Sequence, residues 1–415
     1  MVPISPGFQA SRTFSRELHI PRKKVFLVAV RLQNLLKKYP TVRLATEADN
    51  AKIREFFEQA PMRTPKFDIR YRRAPEFFKL LRMQGHSHFV FLGEGPDGHV
   101  QGTGTLALRD AWLDNQPILV GIWSDLRVSP NRKNSILWRN LFRDLISQCS
   151  DIEEFGGCQH FYTLLLDDNR EAIRALTSSK RQINQPQYIP LASFQMRNLM
   201  LRLPFPRAWR TKESWSIRRA LDGDLPSLDI FFTEENQKIP FGFRESISDR
   251  LMRWEGLSVG AFVCAFDEQG LVACFAPWSP VGAKQTWVSK IPLRFRLMKR
   301  ALAFIPKIPL RIPSPGEALH APCLTHLTFA SRLKPSERVA VFKSMLHSVF
   351  DQWDQKDWHF VSLCDFDSWG LGKGLGGFLQ QTVPITVYAV LPPGEERPNF
   401  CSPSQGAVGF EMALV

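Results

Sequence analysis

The chain is 415 residues long, 44% hydrophobic and 23% charged, enough for two buried cores and too apolar to stay disordered. No apolar run approaches the roughly 18 residues that cross a bilayer, and Val25 to Val30 is too short for a signal sequence, so a membrane-spanning or secreted protein is not expected. The net charge of +14 is local: residues 1–40 hold eight basic side chains against Glu17, and residues 284–316 hold eight more with no acid.

After the basic arm 1–40, Val42-Arg43-Leu44-Ala45-Thr46-Glu47-Ala48-Asp49 reads as a short strand and an acidic turn that caps a helix over 48–59. A second helix is expected over 73–84. Phe89 to Gly93, a turn through Pro96-Asp97-Gly98, and His99 to Thr103 read as a hairpin. A strand over 117–128, a helix over 136–149, a strand over 159–166, a helix over 169–178 and strands to 203 follow. The run from Pro204 to Ser214 reads as a linker.

The pattern then repeats. The opening segment returns as Ile217-Arg218-Arg219-Ala220-Leu221-Asp222-Gly223-Asp224, 175 residues on. Val259 to Phe266, a turn at Gln269-Gly270 and Leu271 to Cys274 repeat the hairpin at an offset of 172, and Leu324 to Phe329 repeats Ile122 to Val128 at an offset of 201. The jump puts an insertion in the second copy, and the basic segment 284–316 falls inside it. The expected organisation is a basic arm at 1–40, a first domain at 41–205 and a second at 206–415. The fold class is α/β (α+β), with two mixed-sheet domains in tandem.

The order of elements and three motifs resemble the GNAT acetyltransferase superfamily. Val42 to Asp49 is similar to that family's first strand and turn. Leu126-Arg127-Val128-Ser129-Pro130-Asn131-Arg132-Lys133-Asn134-Ser135-Ile136 resembles its fourth strand and pyrophosphate loop, and Asp168-Asn169-Arg170-Glu171-Ala172-Ile173-Arg174-Ala175-Leu176 resembles the strand–helix junction that follows. The resemblance implies an acyl-CoA-dependent N-acyltransferase that moves an acyl group from acetyl-CoA or a longer acyl-CoA to a small-molecule or peptide amine. It implies a cofactor site at Leu126, Val128, Arg132, Lys133, Asn134, Ser135 and Asn169. The family has glycine where this chain has Lys133, Ser135 and Leu137, and often a Tyr where it has Thr177-Ser178.

The residues themselves support part of this reading. A strand ending at Val128 and a helix beginning near Ser135 direct free backbone N–H groups at one spot, where phosphate binds. Arg132 and Lys133 add charge-assisted donors; an ordinary turn capped by Ser135 is the plainer alternative. An amine of pKa about 10.4 is neutral in only about four parts in ten thousand at pH 7, a deficit of about 4.6 kcal/mol. Asp125 is the first candidate base, with Glu94 behind it; a salt-bridged Asp125 is the alternative. Tyr162, or water, would protonate the leaving thiolate, and Asn169 either contacts the cofactor or caps a helix.

In the second copy, Ala330 to Arg338 fills the same slot without glycine, and His326 stands in for Asp125. His86 and His88 lack a third ligand, so no metal is expected. The glycine-rich run Gly370 to Gly377 lacks the ending of a P-loop. Seven cysteines with no CxxC pair point to a reducing, cytoplasmic compartment. The stretch from Pro292 to Ile305 suits either an interfacial helix on an anionic inner membrane surface or a solvated surface helix. A nucleic-acid partner is not expected, since no reader motif occurs. Two other functional classes remain open: a catalytically silent GNAT-fold scaffold that binds ligand, and a transferase that takes aminoacyl groups from tRNA.

Overall fold

The computed structural model describes residues 31–59, 62–63, 68–177, 184–203, 215–290, 297, 311–352, 358–401 and 406–414. Most of the basic arm, the linker 204–214 and the segments 291–296 and 298–310 lie outside the described residues. In the first copy the elements run α1 (Leu32–Leu36), β1 (Val42–Leu44), α2 (Asn50–Gln59), β2 (Met62–Arg63), β3 (Asp68–Arg72), α3 (Phe78–Gln84), β4 (Ser87–Glu94), β5 (Val100–Leu113), β6 (Gln116–Val128), α4 (Arg132–Ser147), β7 (His160–Leu166), α5 (Arg170–Thr177) and β8 (Gln187–Arg202). The second copy runs β9 (Ser216–Arg219), α6 (Leu225–Gln237), β10 (Gly242–Phe243), α7 (Ile247–Arg253), β11 (Val263–Asp267), β12 (Gly270–Trp278), β13 (Gln285–Lys290), β14 (Cys323–Phe329), α8 (Pro335–Gln352), β15 (Val361–Phe366) and β16 (Phe378–Leu391).

The repeat is physical as well as textual. Arg43 on β1 grips both oxygens of Asp49 at 2.7 and 2.8 Å, and Asp49 accepts the Thr46 N–H, closing the turn that starts α2. Arg218 on β9 does the same to Asp224 at 2.6 and 2.8 Å, and Asp224 accepts the Leu221 N–H before α6. Two copies of one local device, each satisfying a helix-start amide with a carboxylate, account for the first repeated motif.

Thirteen described strands share one sheet in the order β1-β4-β5-β6-β7-β16-β8-β15-β14-β12-β11-β9, with β10 paired to β5. Read inward from both edges, β1, β4, β5, β6 and β7 match β9, β11, β12, β14 and β15. At the centre the last strands are exchanged: β16 lies against β7, and β8 lies against β15. β8 and β16 pair with each other from Phe378↔Arg202 to Leu391↔Gln187. The expected boundary near 205 therefore divides the chain but not the sheet, because β8 completes the second copy's half.

α4 packs on the first copy's sheet by burying Trp138, Leu141, Leu145 and Ile146, the spacing of one helical face. Its Trp138 indole needs bare backbone beneath it. A Cβ on Gly102 would land inside the indole, and one on Gly93 would press on it. The helix expected over 73–84 begins only at Phe78, because β3 claims the chain up to Arg72 and Pro75 disfavours helix at Ala74.

β3 belongs to a second, three-stranded sheet, β13-β3-β2. β13, the described start of the basic insertion, pairs with β3 of the first copy from Gln285↔Arg72 to Lys290↔Asp68. The insertion thus straps one copy to the other. Further along, Arg311 pairs with Glu317 at 2.6 Å, while Leu297 is exposed. The glycine-rich run forms a short turn over Leu371–Gly374 whose Leu371 and Gly372 amides donate to the Asp365 carboxylate at 2.8 and 2.9 Å. A carboxylate already holds the donors that a nucleotide phosphate would need.

Candidate active site

β6 and β7 are parallel neighbours for only three rungs, Val120↔His160, Gly121↔Phe161 and Ile122↔Tyr162. β7 then stays with β16 as far as Ile385↔Leu166, while β6 stays with β5. Each strand follows its antiparallel partner and sheet twist parts them. The Thr163 hydroxyl donates to the Trp123 carbonyl at 2.9 Å and closes the base of the fork. Beyond it, no ladder pairing joins the end of β6 to the end of β7 among the described residues, and Leu126 is 48% exposed on the rim.

A bulge sits at the same place. Thr105 faces Ser124 and Thr103 faces Arg127, so β6 carries one residue too many, and Asp125 takes φ 53°. Such a bulge interrupts the ladder and leaves its extra backbone group unpaired.

α4 starts where β6 ends. Asn131 is the N-cap, and its side chain accepts the Lys133 N–H at 2.8 Å. The helix thus begins three residues before Ser135, which instead donates its hydroxyl to the Asn131 carbonyl from inside the first turn. Asn supplies a better side-chain acceptor for the first-turn amides than a Ser placed later could. Asn134 bonds Gln101, while Arg132 and Lys133 are exposed and form no ion pair among the described residues. Leu126, Val128, Arg132, Lys133, Asn134 and Ser135 are thereby brought to one strand end and helix start. Asn169 lies at the end of the other prong, where its side chain accepts the Ala172 N–H at 3.2 Å. The capping role is the one realised here.

Of the two readings open for Asp125, the structure shows the salt-bridged one, and Tyr162 is placed away from the fork. Asp125 is gripped by Arg73, one guanidinium nitrogen reaching both oxygens at 2.8 and 2.6 Å. The pair is buried, with side-chain exposures of 4% and 13%. Protonating Asp125 would leave the Arg73 cation buried without its counter-charge, so Asp125 acts as an ion-pair partner and is poorly suited to be the base. Tyr162 is 1% exposed, stacked on Phe241 at 5.6 Å, with its hydroxyl 3.4 Å from Arg109. Arg109 also donates to the Phe241 and Gly409 carbonyls. Tyr162 faces the core between the copies and has no route to a leaving thiolate; its place on a strand buried on both faces is the reason.

The structure brings residues to this bulge that sequence reasoning did not single out. Arg73 directly follows β3, and Tyr71 lies on that strand. Lys284 comes from the other copy, carried in by the β13–β3 pairing, with its ammonium 5.0 Å from the Tyr71 ring centroid. Burial, then repulsion from Arg73, pull the Lys284 ammonium down to about 8. No sequence signal marks this residue, since the pairing that delivers it joins segments more than 200 residues apart.

The second copy has the same architecture, filled in. β14 and β15 share one parallel rung, Cys323↔Ser362, and His326 occupies the bulge at φ 57°, as Asp125 does in the first copy. Here carboxylates take two amides and the arginine side chain of the loop. Glu235 accepts the Ser331 N–H at 3.0 Å, Glu337 accepts the Lys334 N–H at 2.8 Å, and Asp267 pairs with Arg332 at 2.5 and 2.9 Å. At the bulge, Glu411 accepts the His326 N–H at 3.0 Å while pairing with the buried Arg250 at 3.2 Å. The His326 imidazole is 1% exposed and boxed by Phe232, Trp254 and Phe262, and burial holds it well below the usual histidine range. A cavity of about 250 Å³ remains between β14, α6 and residues 408–413.

A mixed sheet whose central parallel strands fork beside a bulge and a helix N-terminus, present twice in one chain, is the fold of the GNAT superfamily in tandem. The solved structures it is similar to include Saccharomyces cerevisiae N-myristoyltransferase with bound myristoyl-CoA, at 10% identity over 89% of this chain and 89% of that one, TM-score 0.50. A further Saccharomyces cerevisiae N-myristoyltransferase structure with bound myristoyl-CoA gives 9% identity over 89% and 84%, TM-score 0.51. A GCN5-related glucosamine N-acetyltransferase region in a fungal multi-domain GH3 β-N-acetylglucosaminidase gives 11% over 84% of this chain and 38% of that chain, TM-score 0.51. At these identities the likeness is one of fold. No protein-family model and no curated protein matches the chain.

Proposed function

We propose that the protein is an acyl-CoA-dependent N-acyltransferase whose working fork is the first copy's. One observation carries this reading: the two forks share their architecture, but among the described residues only the second has carboxylates on its loop amides, its loop arginine and its bulge amide. In the first copy, the N-terminus of α4 with Arg132 and Lys133 would hold the cofactor diphosphate through backbone amides and charge-assisted bonds. The pantetheine arm would run into the fork between β6 and β7.

The second copy supplies a picture of the chemistry proposed for the first. Its bulge amide, His326 N–H, holds a carboxylate oxygen of Glu411 at 3.0 Å. An amide in that position is out of the ladder and aimed at an oxyanion. The corresponding amide at Asp125 would polarise the thioester carbonyl and stabilise the tetrahedral intermediate. The acceptor amine would enter from between the copies, where Arg73, Tyr71 and Lys284 stand.

Isothermal titration with acetyl-CoA, octanoyl-CoA and myristoyl-CoA tests the reading, coupled to a thiol-release assay with hexylamine and with peptides bearing a free N-terminus. Micromolar binding with amine-dependent thiol release is the expected result. Binding without turnover for any acyl chain and any amine would favour the scaffold reading, and absence of binding would refute both.

A further inference from the structure

We propose that the side-chain nitrogen of Lys284 takes the proton from the incoming acceptor ammonium. The assignment rests on the N-acyltransferase reading above. Lys284 immediately precedes β13, whose first rung on β3 is Gln285↔Arg72. The next position outward therefore sets Lys284 beside Arg73, the guanidinium that holds Asp125 at the bulge. Its ammonium lies 5.0 Å from the Tyr71 ring centroid, and the charged and titratable groups whose fields reach it are Arg73 just past β3, Asp125 on the bulge of β6 and Cys323 at the start of β14. A residue of the second copy is thus delivered to the fork of the first, on the side where the copies meet.

Asp125 cannot take this role without breaking its buried ion pair, and Tyr162 is turned into the core. Around Lys284, burial and then Arg73 outweigh the opposing pull of Cys323 and Asp125, which brings the ammonium to about 8. At pH 7 such a group is neutral in about one part in ten, far more than an unperturbed amine. A base near the working pH combines a useful neutral fraction with a real proton affinity.

The step balances. Neutral Lys284 takes one proton from the acceptor's ammonium. The freed amine attacks the thioester carbonyl, the C–N bond forms, and the C–S bond breaks. The departing thiolate takes a second proton from the new amide nitrogen, leaving free coenzyme A thiol, and Lys284 returns its proton to solvent.

Two measurements on the intact chain test this. Competitive acetylation of lysines across the neutral and alkaline range, read by peptide mass spectrometry, titrates Lys284 without any need for turnover; a midpoint near 8 is expected, and one in the ordinary lysine range would overturn the assignment. Thiol release with octanoyl-CoA and hexylamine then compares wild type with Lys284→Arg, which keeps the charge and loses the base. The expected result is a fall in kcat of about 100-fold or more, acyl-CoA affinity unchanged, and loss of the rise in kcat/KM through pH 8. An Arg variant within about threefold of wild type removes the assignment and leaves the N-acyltransferase reading standing. No turnover by the wild type removes both. If the Arg variant loses acyl-CoA binding, Lys284→Gln with added trimethylamine, a base that cannot itself be acylated to an amide, decides: restored hexylamine acylation supports the assignment, and no rescue overturns it.

Discussion

Asp125→Asn separates the two roles open to that carboxylate. Asparagine tolerates the positive φ of 53° at this position and is nearly the same size, so the bulge survives and only the charge is lost. Arg73 is 4% exposed, and its second terminal nitrogen, Nη1, already has no hydrogen-bond partner. Removing the counter-charge leaves a buried guanidinium uncompensated, which costs about 3–5 kcal/mol. Urea unfolding should show that loss as a lower midpoint at unchanged slope. The double variant Arg73→Met/Asp125→Asn should recover most of it, because no charge is then left buried. A loss below about 1 kcal/mol, the range of exposed pairs, or a double variant no more stable than the single one, would refute the buried-pair argument and return Asp125 to the list of bases.

Other outcomes follow from the same geometry. Arg132→Glu/Lys133→Glu should weaken coenzyme A binding at least tenfold, since each cation removed forfeits a charge-assisted bond of about 1.5–3 kcal/mol; unchanged affinity by titration calorimetry would exclude this helix start as the diphosphate site. Gly102→Ala should destabilise by about 1–3 kcal/mol through overpacking, because its Cβ meets the Trp138 indole; an unchanged melting temperature would contradict the packing. The Arg218 guanidinium, through its hydrogen bonds, lowers Asp224 from 3.8 to about 2. The folded form thus binds a proton less readily than the unfolded one, so this contribution is complete above 3.8 and is lost as pH falls through about 2. Asp224→Asn should flatten acid unfolding in that window; a curve that keeps its wild-type slope would contradict the assignment.

Much of the architecture was readable from the chain because it rests on local devices. The Arg–Asp turn closure shows as Arg43…Asp49 and Arg218…Asp224, β6 shows as one run through Val128, and the insertion shows as a jump in repeat offset. The exchange of β8 and β16 was not readable: two terminal strands have the same alternation whichever half they complete. Nor was the partner of Asp125, since Arg73 reaches it through a strand whose own partner lies in the insertion. For the site, sequence placed the strand end and helix start together but put the cap at Ser135 when Asn131, four residues earlier, offered its carbonyl first. Tyr162 misled because β7 is buried on both faces, so alternation gave no hint of which side faces the fork. The carboxylates that fill the second fork come from four separate segments, and Glu411 comes from the far end of the chain.

Co-crystallisation with coenzyme A tests the central claim most directly. The diphosphate should lie over the amides and side chains of Arg132 to Asn134, with the pantetheine arm entering between β6 and β7. Diphosphate density at Ser331 to Lys334 instead, displacing Glu235 and Glu337, or a fork that stays empty at saturating ligand, would contradict it.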